Sequence, residues 1–211
     1  MSEPKTSAAG TEEVLPGLLH WAVDDDRIGF RSDAYALDSS AGLVLVDPLP
    51  LAEPALLALG RPVAICLTIQ SHQRSAWRYR RRFRALVYAP LWAEGLEEEP
   101  DHFYRHGERL PGGLRAIHAP GPCEASYALL DEGTGVLFLG DLLTGERASA
   151  LRFVPDPYQD APRRTRESVR ALLDEPFDAV CSGHAPPIPH GGRRAVRDAL
   201  ERDRAASHPV P

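Results

Sequence analysis

Residues 64–74 read Ala-Ile-Cys-Leu-Thr-Ile-Gln-Ser-His-Gln-Arg, an apolar run that passes into a polar turn. The run Val63–Leu67 is short and continuously apolar, which predicts a strand. The turn that follows it contains Ser71, His72 and Arg74, so a hydroxyl, an imidazole and a guanidinium come soon after the strand. The turn is therefore a candidate for part of a functional site.

Further apolar runs along the chain also end in polar side chains. Residues 41–47, 136–141 and 179–184 end in Asp47, Asp141 and His184, respectively. Residues 116–123 read Ala-Ile-His-Ala-Pro-Gly-Pro-Cys, a strand-like run followed by a turn. These stretches, together with the turn after Leu67, form an ordered set of motifs.

In order and spacing, this set resembles the metallo-β-lactamase superfamily, in which an apolar strand ends in Thr and runs into His-x-His-x-Asp-His. The matching stretches extend from about Val14 to His190. The resemblance implies an α/β (α+β) fold, a four-layer αββα sandwich with its site at one edge of the two sheets.

The resemblance also shows which metal ligands are missing. The four ligand positions of the turn fall on Ile69, Ser71, Gln73 and Arg74, and a fifth falls on Pro122. Only Asp141 and His184 remain as ligand positions. Catalytic zinc typically takes three protein ligands, so no metal cofactor is expected. The alternative is one Zn or Fe ion, for which His72, His118 or Cys123 would supply a third ligand.

The candidate pocket is predicted to contain Asp47, Ser71, His72, Arg74, Asp141 and His184. Because His72 occupies an x position of the motif, its side chain is expected to leave the backbone in a different direction from a ligand. Arg74 is expected to form a charge-assisted, bidentate pair with Asp141 and so replace the charge of a metal. Asp47 is interpreted as an acceptor for backbone N–H groups of the loops.

Three functions follow, in order of preference. The first is a metal-free protein without the family's hydrolase activity, a pseudoenzyme that binds a small molecule or a protein partner. The second is a hydrolase of esters, thioesters or lactams with one metal at Asp141, His184 and a recruited ligand. The third is thiol chemistry at Cys123, assisted by His118 or His184.

Composition indicates one folded domain. The chain has 211 residues, 43% of them hydrophobic and 26% charged, with a formal net charge of −6. Residues 1–13 are predicted to be a flexible terminal segment and residues 14–211 a single domain. Neither a nucleic-acid nor a membrane partner is expected. A cytoplasmic location is the default expectation, and homo-oligomerisation is left open.

Periodicity adds the helices to this picture. They are predicted near Leu51–Leu59, Ser75–Arg84, Ala161–Leu173 and Arg193–Arg204. Gly133-Thr-Gly135 is predicted to be a hairpin turn. The arginine-rich stretch from Arg78 to Arg84 is interpreted as the solvated face of a helix whose aromatic side is buried.

Overall fold

The computed structural model describes residues 3–146 and 150–207. Its strands and helices follow the order β1 Glu12–Leu15, β2 Leu18–Asp25, β3 Phe30–Ser39, β4 Gly42–Val46, α1 Glu53–Leu59, β5 Pro62–Cys66, α2 Ala76–Phe83, β6 Leu86–Pro90, β7 His102–Tyr104, β8 Leu114–His118, β9 Tyr127–Asp131, β10 Val136–Gly140, α3 Pro162–Leu172, β11 Ala179–Ser182, β12 Ala185–Ile188 and α4 Gly192–Ser207. A 3-10 turn at Gln70–Gln73 lies between β5 and α2.

The strands form two sheets. The first has seven strands in the sequential order β1 to β7, and the second has five in the order β12-β11-β10-β9-β8. Strands β4 to β7 pair in parallel, whereas β1 to β4 form an antiparallel meander. In the second sheet β10 and β11 are parallel. Parallel neighbours end at the same edge of a sheet, so the loops after β4, β5, β10 and β11 are brought together in pairs.

Three clusters of apolar side chains fill the spaces between the two sheets and between each sheet and its helices. The inner cluster joins side chains of both sheets, among them Tyr35 and Val46 from the first and Phe138 from the second. The outer face of the first sheet packs on α1 and α2, for example through Trp77. The outer face of the second sheet packs on α3 and α4, for example through Val196. The predicted αββα sandwich is therefore confirmed.

The predicted elements agree with the structure except at a few places. The apolar run Val14–Trp21 predicts a single strand, but the structure has two, because Gly17 has a φ of +78° and turns the chain between β1 and β2. The predicted hairpin at Gly133–Gly135 joins β9 to β10. The sequence does not predict strands β7 and β12. Strand β12 begins with Ala185-Pro-Pro, and proline within a run argues against a strand because it lacks a backbone N–H.

The described part of the N-terminal segment makes several contacts with the rest of the chain. Ala8 forms a β-bridge with Leu51, and Glu3 accepts a hydrogen bond from Ser75. Strand β1 begins at Glu12, inside the segment predicted to be flexible. Residues before position 14 therefore pack against the domain.

Helix α2 has the two faces that its sequence predicts. Trp77 and Tyr79 are buried, and the arginines on the other side pair with acidic residues. These pairs are Arg78–Glu3, Arg80–Asp101, Arg81–Glu98 and Arg82–Glu53. Among the described residues, no helix combines the length and the apolar character needed to cross a bilayer.

Candidate metal centre

Four polar side chains meet where the strands of both sheets end. Asp47 follows β4 and His72 lies in the 3-10 turn after β5. From the second sheet, Asp141 follows β10 and His184 follows β11. The site is therefore built from loops of both sheets, at the edge that the resemblance implied.

Three ligand-type atoms converge at the centre of this site. Asp141 Oδ1 lies 2.9 Å from His72 Nε2 and 3.2 Å from His184 Nε2. The two Nε2 atoms are 3.4 Å apart. Asp141 Oδ1 is buried, yet it has no partner with the alignment of a hydrogen bond. The three atoms thus face one another at short range without a well-formed hydrogen bond to satisfy the carboxylate oxygen.

The orientation of His72 is fixed by Asp47. His72 Nδ1 lies 2.8 Å from Asp47 Oδ2. The same carboxylate accepts hydrogen bonds from the backbone N–H of Thr68 at 2.7 Å and from its hydroxyl at 2.5 Å. Because an ionised carboxylate only accepts hydrogen bonds, Nδ1 of His72 carries a proton, and Nε2 faces Asp141 with a second proton when the ring is charged and with a lone pair when it is neutral.

The orientation of His184 is fixed by the backbone of β3. His184 Nδ1 lies 2.8 Å from the carbonyl oxygen of Arg31, which can only accept. His184 Nδ1 therefore donates to this carbonyl, and the other ring nitrogen, Nε2, points toward Asp141. Histidines that bind metals typically donate their other N–H to a carboxylate or a carbonyl in this way.

The charges of the site act on one another. Burial would raise the pKa of Asp141, but His72 and His184 face the carboxylate at short range, and when protonated they outweigh burial and hold the pKa well below its ordinary value. Burial and the nearby Arg74 would lower the pKa of His72, but Asp141 and Asp47 outweigh them and raise it. A cation, whether a proton or a metal ion, is consequently favoured between these two carboxylates.

The spacing of the three atoms fits a single metal ion. Two ligands at about 2.1 Å from one tetrahedral ion are roughly 3.4 Å apart, and the three observed separations lie between 2.9 and 3.4 Å. Two imidazoles and a carboxylate suit zinc and iron. His72, Asp141 and His184 form the one group of this kind among the residues that the structure describes.

Gly183 leaves room for the His72 ring. A Cβ atom at position 183 would lie 2.4 Å from His72 Cε1 and 3.2 Å from the carbonyl oxygen of Gly140.

We expect Gly183→Ala to displace the His72 ring and to lower the free energy of unfolding by about 1–3 kcal/mol, because the new methyl group has the His72 ring on one side and the Gly140 backbone on the other. Urea unfolding measures this effect. Gly10→Ala is the control, since nothing lies within 4 Å of that position; equal midpoints for both variants would contradict the close packing.

Comparison with solved structures identifies the fold. The chain is similar to a metallo-β-lactamase family protein of Thermus thermophilus, with 21% identity, a TM-score of 0.68 and coverage of 92% of this chain and 81% of that chain. The chain has the metallo-β-lactamase fold. The protein TTHA1623, solved in a di-iron-bound form, shares 26% identity over 79% of this chain and 93% of that one, with a TM-score of 0.62.

A metallo-β-lactamase superfamily protein of the archaeon Sulfolobus tokodaii is also similar, with 14% identity, a TM-score of 0.67 and coverage of 95% of this chain and 86% of that chain. No protein-family model matches the sequence, and no curated protein matches it. The similarity therefore shows the metallo-β-lactamase fold, while activity has to be argued from the residues of the site.

In this metallo-β-lactamase fold, His72 does not behave as the sequence motif predicted. Its ring is buried and points at Asp141 and His184. The prediction that its side chain leaves in another direction is wrong. Ile69 has extended backbone angles and a 3-10 turn follows at Gln70–Gln73, so the direction of each side chain differs from what counting along the motif suggests.

The predicted pair between Arg74 and Asp141 is also wrong. The Arg74 guanidinium is buried, and it donates to the carbonyl oxygens of Asp33 at 2.9 Å, Asp47 at 3.2 Å and Gly183 at 3.4 Å. The ion pairs of Asp141 within the described chain are with His72 and His184 instead. Arg74 thus connects the backbone of strand β3 with the loops after β4 and β11, and its charge interacts with the carboxylates of Asp47 and Asp141.

The remaining candidate residues lie further from the three ligand atoms. Ser71 is exposed, and its hydroxyl donates to Asp141 Oδ2 at 3.4 Å. His118 contacts the carbonyl oxygen of Glu124 and the ring of Trp92. Burial raises the pKa of Cys123 to about 11, which keeps the thiol protonated near neutral pH. The structure thus gives no support to thiolate chemistry at this position.

The sequence does not predict the residues that contact the Nδ1 side of His184. Arg31 acts through its backbone carbonyl, which has no signature in a sequence. Ser32 and Asp25 lie beside it on the β2–β3 hairpin, 152 or more positions before His184 in the chain. A polar Asp and Ser in otherwise apolar strand faces were the only signal available.

Proposed function

We propose that this chain is a hydrolase with a single divalent metal ion, zinc or iron, held by His72, Asp141 and His184. One observation supports this function above the others. Two Nε2 lone pairs and a carboxylate oxygen without an aligned hydrogen bond converge, and both Nδ1–H groups are already donated to acceptors. The family motif selects only two of these ligands, and His72 makes the third.

Charge balance supports the same proposal. Asp47 and Asp141 each contribute a negative charge, and Arg74 lies close enough to interact with both. Arg74 supplies one permanent positive charge beside two carboxylates, so that without a proton on His72 an excess of negative charge remains where the three ligand atoms meet. This excess favours one cation. Arg74 at the same time opposes a second metal ion, since like charges in a poorly solvated site repel strongly.

The site also has the openness that catalysis requires. The side chain of Asp141 is 20% exposed and that of His184 is 10% exposed, so solvent reaches the ligands from one side. A metal held there would polarise a substrate carbonyl and lower the pKa of a water molecule. Phe30, 52% exposed, packs its ring 5.0 Å from that of His184 and provides an apolar surface beside the ligands.

Zinc binding to the metal-free protein tests the metal site. We expect one equivalent of Zn²⁺ or Fe²⁺ to bind, with an affinity that falls as the pH is lowered. The sign follows from proton competition: His72 must lose its proton to bind the ion, and its pKa lies above the ordinary value. Weakening should therefore begin at a pH above about 6.5, the usual pKa of histidine. Competition titration against a chromogenic chelator at several pH values measures this.

Hydrolysis assays then test the reaction. Ester, thioester and lactam substrates are incubated with zinc-loaded and iron-loaded protein, and the same preparations of Cys123→Ser provide the control for thiol chemistry. Hydrolysis that requires the metal and survives loss of the thiol supports the proposal. Retention of a bound metal without hydrolysis of any of the three bond types would remove the hydrolase and leave the metal site.

A metal-free binding protein is the second candidate, because one specific observation favours it. The two nitrogens of His72 lie 2.8 Å from Asp47 Oδ2 and 2.9 Å from Asp141 Oδ1, and these carboxylates raise the pKa of the ring and so favour its protonated form. His72 would then bridge the two carboxylates as an imidazolium, and the pocket would bind a small molecule or a protein partner. Failure to bind zinc and iron at pH 8, where proton competition is weaker, would favour this function over the hydrolase.

A further inference from the structure

His184 is connected to a buried carboxylate that lies outside the ligand set. The Ser32 Oγ atom lies 3.4 Å from His184 Nδ1 and 3.0 Å from Asp25 Oδ2. Ser32 is fully buried, and the Asp25 side chain has no exposed surface. A hydroxyl and a carboxylate thus continue inward from the ring, on the side opposite Asp141.

The Asp25 carboxylate determines which group donates in each of these hydrogen bonds. The Asp25 carboxylate only accepts, so the Ser32 hydroxyl donates its proton to Asp25 and offers a lone pair to His184. The Nδ1–H of His184 is then shared between the Ser32 hydroxyl and the nearer carbonyl of Arg31 at 2.8 Å. Both acceptors place the proton on Nδ1 and leave Nε2 free to bind.

Arg27 holds the far end of these hydrogen bonds in place. Its side chain donates to Asp25 Oδ1 at 2.8 Å and to Asp25 Oδ2 at 2.5 Å, and its backbone N–H donates to Oδ1 at 3.0 Å. The buried carboxylate is therefore neutralised and its orientation fixed. Burying a carboxylate is costly unless it is paired and hydrogen-bonded, and Arg27 supplies both the charge and the hydrogen bonds.

We propose that Asp25 and Ser32 are positioning residues that orient the His184 ring and raise its basicity toward a metal ion. This inference rests on the metal site proposed above. Hydrogen-bonded partners behind a metal-binding histidine fix its tautomer and orientation, and their loss typically lowers metal affinity about 10–100-fold. Since the Arg31 carbonyl remains in every variant, the lower end of that range is expected here.

The test compares Ser32→Ala, Asp25→Asn and the double variant with the unchanged protein. Ser39→Ala is the matched control, because Ser39 is on the same strand and its hydroxyl donates to the carbonyl of Gly42, away from the site. Zn²⁺ affinity is measured by chelator competition. We expect each single variant to bind Zn²⁺ about tenfold more weakly and the double variant to bind no more weakly than the singles, because both substitutions interrupt one path.

A second readout does not depend on the metal. The ¹⁵N shifts of the His184 ring in the metal-free protein report which nitrogen carries the proton, and Ser32→Ala should move them toward the Nε2–H tautomer while Ser39→Ala leaves them unchanged. Unchanged ring shifts in Ser32→Ala, or effects of Asp25 and Ser32 that simply add, overturn the inference. If the unchanged protein binds no Zn²⁺, the proposed metal site fails, and the ring shifts alone decide whether Asp25 and Ser32 orient His184.

Discussion

His72→Ala is expected to weaken zinc binding by at least about 100-fold, the largest effect among substitutions at the site. The substitution removes one of three ligands, and even the loss of a partner behind a ligand costs about 10–100-fold. It leaves Asp141 and His184, which are too few for a catalytic metal site. Chelator competition with zinc measures the affinity, and any metal-dependent hydrolysis should be lost with it.

His118→Ala is the control for this experiment. His118 is also partly shielded, and it contacts Trp92 and the carbonyl of Glu124, not the ligand atoms. Its removal should leave zinc affinity within about twofold of the unchanged protein. If His72→Ala and His118→Ala bind zinc equally well, His72 is not a ligand and the metal-free candidate gains support.

Arg74→Met is expected to produce the largest loss of stability. Methionine preserves much of the length of the side chain but donates no hydrogen bond. The carbonyls of Asp33, Asp47 and Gly183 would lose a buried donor, and the two carboxylates nearby would lose a compensating charge. We expect the free energy of unfolding to fall by about 3–5 kcal/mol and the Tm to fall by roughly 10 °C.

Arg163→Met is the matched control. The Arg163 side chain is 92% exposed, and its partner is Glu167 one helical turn away. An exposed pair of this kind contributes little to stability, so the denaturant midpoint should remain unchanged. If Arg74→Met unfolds at the same urea concentration as Arg163→Met, Arg74 does not hold strand β3 and the loops after β4 and β11 together. Measurement in the absence of metal separates this effect from any change in zinc binding.

The fold was predictable because its signals are local and repeated. Apolar runs at β4, β5, β10 and β11 each lead into the polar residue or turn that the resemblance selects, and the order of these runs specifies the sandwich. Asp141 and His184 were predicted as residual ligand positions for the same reason. Asp141 directly follows its strand, and only Gly183 separates His184 from the end of β11, so the backbone leaves little freedom in placement.

The position of His72 was not predictable by the same reasoning. It lies six residues beyond the end of β5, inside a 3-10 turn, and the direction of its side chain depends on the backbone angles of the whole turn. Arg74 has a φ of +33°, an uncommon value for a residue with a side chain. The motif assumes a regular turn. Where the turn is irregular, a side chain at a spacer position, such as His72, can point into the site, and a side chain at a ligand position, such as Arg74, can hydrogen-bond to backbone carbonyls instead.

The ligand atoms are carried by different layers of the sandwich. His72 extends from the first sheet, whereas Asp141 and His184 extend from the second. The distance between them is consequently set by the apolar side chains that keep the two sheets apart, such as Tyr35 against Phe138. A change of volume deep in that interior would alter the distance between His72 and the other two side chains without touching any of them, and would thereby change the size of the cation that the proposed site accepts.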